Sequence, residues 1–158
     1  MLRTKINDQG RATVTLNRPE MHNAFDESLI AGLQETFTGL SENPDVRVVV
    51  LTAEGKSFCA GADLNWMKRM SSYSYEENIT DGKALAGMLH TIATCSKPVI
   101  GQVQGPAYGG GVGMVSVCDI AVASEKARFI FSEVKLGITP ATISPYVVAA
   151  IGQRQARR

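Results

Sequence analysis

The spacing of apolar positions changes several times along the chain, and each change marks an element. Met1-Leu2-Arg3-Thr4-Lys5 runs straight into a strand-like alternation. Ala12-Thr13-Val14-Thr15-Leu16-Asn17 alternates apolar and polar residues, as a half-buried strand does, and Asn17-Arg18-Pro19 breaks it. From Asp26 the spacing becomes helical. Asp26 is placed to cap the helix, Leu29, Ile30, Leu33, Phe37 and Leu40 share one face, and Asn43-Pro44 ends it. Val46 to Thr52 is a run rich in β-branched residues, the kind found in parallel-sheet strands covered on both faces. A small-residue turn, Gly55 to Asp63, follows it, and then Leu64 to Met70, which reads as helix.

The strand-turn-helix theme recurs. Pro98 to Val103 reads as strand, Gly105 to Gly111 as a glycine-rich turn, and Val112 to Val117 as an apolar helix. A third copy has strand at Ala127 to Phe131, turn at Gly137 to Ala141 and helix at Ile143 to Ile151. Repeated βα units stacked on one another predict an α/β fold, with residues 1–158 as one domain. Ser71 to Gly82, rich in Ser, Tyr, Glu and Asn, is expected to be either a surface loop leading into a helix (Lys83 to Thr94) or a mobile wall over a pocket.

Composition narrows the function classes. Hydrophobic residues make up 44% and charged residues 20%, enough apolar material for a real core. The net charge of +1 gives no field that would draw nucleic acid or an anionic membrane. Arg154, Arg157 and Arg158 read as a solvated helix face. No apolar run is long enough to span a bilayer, and no signal region opens the chain. Cys59, Cys95 and Cys118 are widely spaced and odd in number, which suits a reducing, cytoplasmic setting and offers no metal site.

Two turns and one carboxylate carry the candidate chemistry. Gly109-Gly110-Gly111 opens a helix, where backbone N–H groups lie exposed at the positive end of the helix dipole. Ala60-Gly61-Ala62 is a second place where backbone can approach a ligand closely. Facing each other, the turns would aim two N–H groups at one oxygen, which is an oxyanion hole. Alternatively, the triple glycine is a tight turn that allows close helix-strand packing. Neither phosphate-binding glycine motif is present, and the absence of G-x-S-x-G argues against a serine hydrolase. Glu133, just after an apolar strand, is the candidate acid or base, unless it is simply solvated at a strand end. His22 and His90 have no nucleophile pattern nearby.

Taken together, these segments resemble the enoyl-CoA hydratase/isomerase (crotonase) family. The stretches that carry the resemblance are Leu16-Asn17-Arg18-Pro19 with Asn23-Ala24, Phe58 to Leu64, Lys97 to Ile100, Gly105 to Gly111, Cys118-Asp119-Ile120 and Phe129 to Pro140. They span nearly the whole chain in the family's order. The resemblance implies a crotonase-like spiral of ββα units that works on CoA thioesters. It implies that the N–H groups of Ala62 and Gly110 hold the thioester carbonyl and that an enolate is the intermediate. It places Ala24, Ala60, Asp63 and Leu64 around the CoA adenine, and Arg18 near the CoA phosphates. The acyl-CoA is then the substrate, with no further cofactor and no metal. The family's assembly is a homotrimer or dimer of trimers, and its chains continue into a helical C-terminal region, so this chain is expected to be truncated there.

The resemblance has one departure inside the site. Hydratases of this family usually carry two glutamates; Glu133 matches one, and Gly113 stands where the other would be. A single glutamate resembles Δ3,Δ2-enoyl-CoA isomerases. However, Ala62 to Met70 and Pro140 to Tyr146 resemble bacterial methylglutaconyl-CoA hydratases, in which glycine is usual at that position. The expected function is therefore hydration of an α,β-unsaturated acyl-CoA, with 3-methylglutaconyl-CoA or a related branched enoyl-CoA as substrate. Isomerisation by Glu133 alone and a non-catalytic acyl-CoA-binding fragment are the alternatives. A glutaconyl ester has a second carboxylate, for which Lys68 and Arg69 are candidate partners if they are not a solvated helix face. Trp66, Met67 and Met70 either line the acyl pocket or belong to the core.

Overall fold

Strand β1 (Leu2–Ile6) pairs antiparallel with β2 (Arg11–Leu16) in a hairpin at the start of the computed structural model, which describes residues 1–158. The alternation in β2 is obeyed: Ala12, Val14 and Leu16 are buried, while Thr13 and Thr15 face outward. Helix α1 (Glu27–Glu42) starts where predicted, with the Asp26 carboxylate accepting the Leu29 N–H at 3.0 Å. Leu29, Ile30, Leu33, Phe37 and Leu40 are its buried face.

Strand β3 (Val48–Ala53) lies parallel to β2. The expectation that it is covered on both faces is corrected: Val49, Leu51 and Ala53 are buried, whereas Val48, Val50 and Thr52 are only half-buried because no helix packs on that side. After β3 come α2 (Leu64–Met70) and α3 (Tyr75–Ala93). Helix α3 begins inside the stretch read as a loop. The Ser74 hydroxyl accepts from the Glu77 N–H at 3.2 Å while the Glu77 carboxylate accepts from the Ser74 N–H at 2.7 Å, and this reciprocal cap starts the helix at Tyr75.

Strand β4 (Val99–Val103) is parallel to β3; then come β5 (Ala107–Tyr108), α4 (Gly110–Ser116) and β6 (Ile120–Ala123), which is parallel to β4. Strand β6, unread in the sequence, completes a five-stranded sheet of order β1-β2-β3-β4-β6. The third repeat departs from the other two. Strand β7 (Phe129–Ile130) is shorter than expected and pairs with β5 in a separate two-stranded sheet. Helix α5 (Ser144–Ala156) follows and is bent at Gly152, whose φ is +78°.

The core lies on one face of the main sheet. Val14, Leu16, Val49 and Leu51 meet Leu29, Leu33 and Phe37 of α1 and Met88, Leu89 and Ile92 of α3. Full burial of each such side chain stabilises the fold by about 1.5–3 kcal/mol. No helix is long and apolar enough to cross a membrane. This packing brings the turns after β3, β5 and β7 together.

Candidate active site

The turn after β3 is held by the segment ahead of α1. The Ala60 N–H donates to the His22 carbonyl, the Phe25 N–H to the Gly61 carbonyl and the Asp63 N–H to the Phe25 carbonyl, each at 2.9 Å. Phe25 and Ala62 thus form a parallel bridge. In such a bridge one residue makes both bonds, and the N–H of the residue opposite it faces away. The Ala62 N–H therefore points away from Phe25, and it donates to no protein acceptor.

The turn after β5 is set against this one. The Tyr108 N–H donates to the Cys59 carbonyl at 2.9 Å, and Cys59 bridges to Ala107. A Cβ on Gly61 would fall 2.9 Å from the Tyr108 carbonyl oxygen and 3.7 Å from the Gly110 nitrogen. A Cβ on Gly110 would run into the Phe25 ring, so glycine is needed there for the approach itself. The Gly110 N–H opens α4 and, like that of Ala62, has no protein acceptor.

Glu133 arrives through β7. The Gly109 N–H donates to the Ile130 carbonyl at 2.9 Å, which fixes β7 beside β5. Three residues beyond Ile130, a short 3-10 turn (Glu133–Leu136) brings the carboxylate back over Gly109. A Cβ on Gly109 would lie 2.9 Å from Glu133 Oε1, and the φ of Gly109 is +48°, so both space and backbone require glycine. Glu133 Oε2 is buried without a hydrogen-bond partner. A buried carboxylate oxygen left unsatisfied is costly, and such an atom in a native fold calls for a ligand or water.

The three turns line a cavity of about 490 Å³, which Ala60, Ala62, Leu64, Gly110 and Glu133 all reach. The apolar side chains of Trp66, Met67, Met70, Leu136 and Ile143 also line it. Phe25 and Trp66 pack edge to face behind it, with ring centroids 5.9 Å apart. Two free N–H groups and one unpartnered carboxylate oxygen in one largely apolar cavity can polarise a carbonyl and move a proton beside it.

Residues 7–158 match the family model for enoyl-CoA hydratase/isomerase. The chain belongs to the enoyl-CoA hydratase/isomerase family. It is similar to the crystal structure of an enoyl-CoA hydratase from Shewanella pealeana, with a TM-score of 0.96 and 44% identity over 99% of this chain and 59% of that one. An enoyl-CoA hydratase of Alternaria alternata is 40% identical over 152 residues, 96% of this chain and 49% of the relative. A peroxisomal Δ(3,5)-Δ(2,4)-dienoyl-CoA isomerase of Arabidopsis thaliana is 34% identical over 143 residues, 85% of this chain and 51% of the relative. The chain thus spans about half to three-fifths of the length of these proteins. Its fold is the crotonase-like α/β arrangement.

Within this family frame, the remaining sequence-predicted residues separate. Ala24 and Asp63 are buried and do not reach the cavity. The Asp63 carboxylate caps α2, accepting from the N–H groups of Asn65 at 2.8 Å and Trp66 at 3.4 Å. Burial pushes its pKa up, but those two N–H groups and the Arg18 guanidinium outweigh burial and hold it below the usual carboxylate range. Arg18 does not stand free for a phosphate. Its guanidinium donates to Asp26 at 3.0 Å, to the Ala24 carbonyl at 3.2 Å and to Asp63 at 3.3 Å. Nor do Lys68 and Arg69 reach the cavity; Arg69 is bound on the surface to Glu27 at 2.6 Å. Trp66 is both core and cavity wall, so the two readings of it coincide.

The place of the second glutamate is filled. A Cβ on Gly113 would lie 2.9 Å from Ile143 Cβ and closer still to Cγ2. Ile143 is buried at the start of α5 and lines the cavity. Neither Ile143 nor Phe25 was singled out in the sequence, and nothing local in the sequence marks them. Asn23 did have a signal, its place in the Asn23-Ala24 pair. Its φ is +55°, its amide donates to the carbonyls of Glu54 at 2.8 Å and Ser57 at 3.0 Å, and its Oδ1 accepts from the Arg18 N–H at 2.8 Å. Burial pushes the Cys59 thiol up to about 12, which rules it out as a thiolate nucleophile near neutral pH. No cluster of three or more His, Cys, Asp or Glu side chains is arranged to hold a metal ion.

Proposed function

We propose that this site adds water to an α,β-unsaturated acyl-CoA, with the Ala62 and Gly110 N–H groups on the thioester oxygen and Glu133 as the one acid/base. What carries the reading is the convergence of two N–H groups without acceptors and one unpartnered carboxylate oxygen on a single cavity. As water bonds to the β-carbon, negative charge moves onto the thioester oxygen, and the two donors stabilise that enolate. Glu133 takes a proton from the water and delivers one to the α-carbon, so the carboxylate is regenerated and the elements of water are added. The CoA thioester is the substrate and no other cofactor takes part. Ala60 and Leu64 flank the thioester's CoA side, while Ala24 and Asp63 support that wall from behind.

Isomerisation is the second reading, and one observation favours it: Ile143 occupies the room beside Gly113, leaving a single carboxylate. In that reaction Glu133 removes a proton from the α-carbon of a β,γ-enoyl-CoA and returns it to the γ-carbon through the same enolate. Of the hydration substrates, a branched enoyl-CoA without a second charge fits better than 3-methylglutaconyl-CoA. Besides Glu133, the cavity offers a distal carboxylate only hydroxyls such as Ser71, Thr139 and Thr142, and no cation. A cytoplasmic setting, on the unpaired cysteines, and a homotrimer or dimer of trimers, on the family resemblance, belong to the same proposal.

Glu133→Gln keeps the shape and removes the base. Acyl-CoA binding should persist while turnover falls by about 10²–10⁴-fold. Turnover unchanged in this variant would overturn the assignment, and binding without turnover in either protein would leave an acyl-CoA-binding scaffold.

A further inference from the structure

The Ala62 donor lies in a turn with almost no side chains to anchor it. Ala60, Gly61 and Ala62 present methyl groups or nothing, and Gly61 sits at φ +84°. Its direction must be set from the segment across the bridge. Besides the backbone hydrogen bonds of that bridge, segment 22–26 and the turn are joined by one half-buried cation. Arg18 Nη1 reaches Asp26 Oδ2 at 3.0 Å and the Ala24 carbonyl at 3.2 Å, and Nη2 reaches Asp63 Oδ2 at 3.3 Å. The side chains of Arg18, Asp26 and Asp63 are only 17%, 20% and 6% exposed, so solvent screens them little. Arg18 is itself fixed, because its N–H donates to Asn23 Oδ1 at 2.8 Å and its carbonyl accepts from the Asn23 N–H at 2.9 Å.

We propose that Arg18 is the positioning residue of the oxyanion site, clamping segment 22–26 to Asp63 and so fixing the direction of the Ala62 N–H. Asp63 follows Ala62 directly and also caps α2, so the clamp holds the turn from its far end while the Phe25 bridge holds its middle. Arginine suits the position because a planar fork can bridge three acceptors on two segments, and a lysine ammonium cannot hold the same geometry. The inference rests on the reading of Ala62 as a carbonyl donor, and it makes Arg18 a residue that never touches the ligand.

The test is the absorption of bound 2,4-hexadienoyl-CoA, whose conjugated carbonyl absorbs at longer wavelength when hydrogen bonds polarise it. The unsubstituted chain should show a red shift on binding. Arg18→Met should lose at least half of that shift at saturation, with affinity for CoA itself kept within about threefold. Arg18→Lys should fall between the two. Arg18→Met leaves two carboxylates without their cation, so Asp63→Asn, which keeps a capping oxygen, is the second variant and should also lose part of the shift. A full shift at saturation in either Arg18→Met or Asp63→Asn would overturn the clamp. A full shift in Arg18→Met together with weakened CoA binding would make Arg18 a phosphate ligand instead. No shift in the unsubstituted chain would remove the oxyanion site and the clamp with it, an outcome distinct from loss confined to the variants.

Discussion

The two walls of the cavity are built differently. The wall with Ala62 and Gly110 is tied across the chain: residues 22–25 bond to 60–63, Cys59 bonds to Tyr108, and Phe25 and Cys59 behind it are buried. The wall with Glu133 bonds mainly to itself. Lys135 donates to Ser132, Gly137 to Val134 and Ile138 to Glu133, while Val134, Leu136 and Ile138 are 73%, 55% and 50% exposed. The contrast separates two tasks. Donors that stabilise developing charge work best when fixed beforehand. A base that takes a proton from one atom and delivers one to another tolerates a wall with fewer ties.

Substitutions can break this contrast, and the largest effects are expected where the walls touch. Ile143→Ala should cost about 2–5 kcal/mol, since it empties the contact between α4 and α5. Gly113→Ala should cost about 1–3 kcal/mol by overpacking against Ile143. In the double variant the two costs should add to less than their sum, as read by urea unfolding midpoints. Gly109→Ala comes next. Its positive φ should cost about 1–3 kcal/mol. Its methyl should push the Glu133 carboxylate aside, lowering turnover more than CoA affinity.

Asp63 sharpens the contrast through pH. Its folded pKa lies below the ordinary value, so its contribution is fully present above the unfolded pKa of about 3.9 and is lost as pH falls through the folded value. Asp63→Asn should lower stability at neutral pH and flatten the acid side of the stability curve. The smallest effect belongs to the loosely tied wall: Val134→Ser should change stability by no more than about 0.5 kcal/mol.

Local pattern made much of the fold legible. Helix α1 announced itself through Asp26 and one apolar face, and β2, β3 and β4 through alternation or β-branched runs. The start of α3 was legible too, in the Ser74 and Glu77 spacing, but the polar stretch around it reads as loop. Strand β6 shows no alternation because Ile120, Ala121, Val122 and Ala123 are all apolar, and so short an apolar run does not by itself separate strand from other structure. In the site, the glycine run and Glu133 were visible as candidates. The turn Ala60 to Ala62 was visible as well, and the family resemblance singles out the Ala62 N–H, but what leaves that N–H free is a bridge to Phe25, 37 residues earlier, which no local pattern shows. Arg18 was placed near a phosphate for a related reason. Its acceptors, Asp26 and Asp63, lie on two segments that meet only in the folded chain. Ile143 beside Gly113 depends on α5 packing against α4, which no local spacing reveals.

The most direct test of the central claim is the mass of the product formed from a branched α,β-unsaturated acyl-CoA, with a β,γ-enoyl-CoA run in parallel. The account predicts that the α,β-unsaturated ester gains one water and that Glu133→Gln abolishes the gain. A β,γ-enoyl-CoA converted to a product of unchanged mass with its double bond moved, and no water gained by the α,β-unsaturated ester, would contradict it and make the site an isomerase.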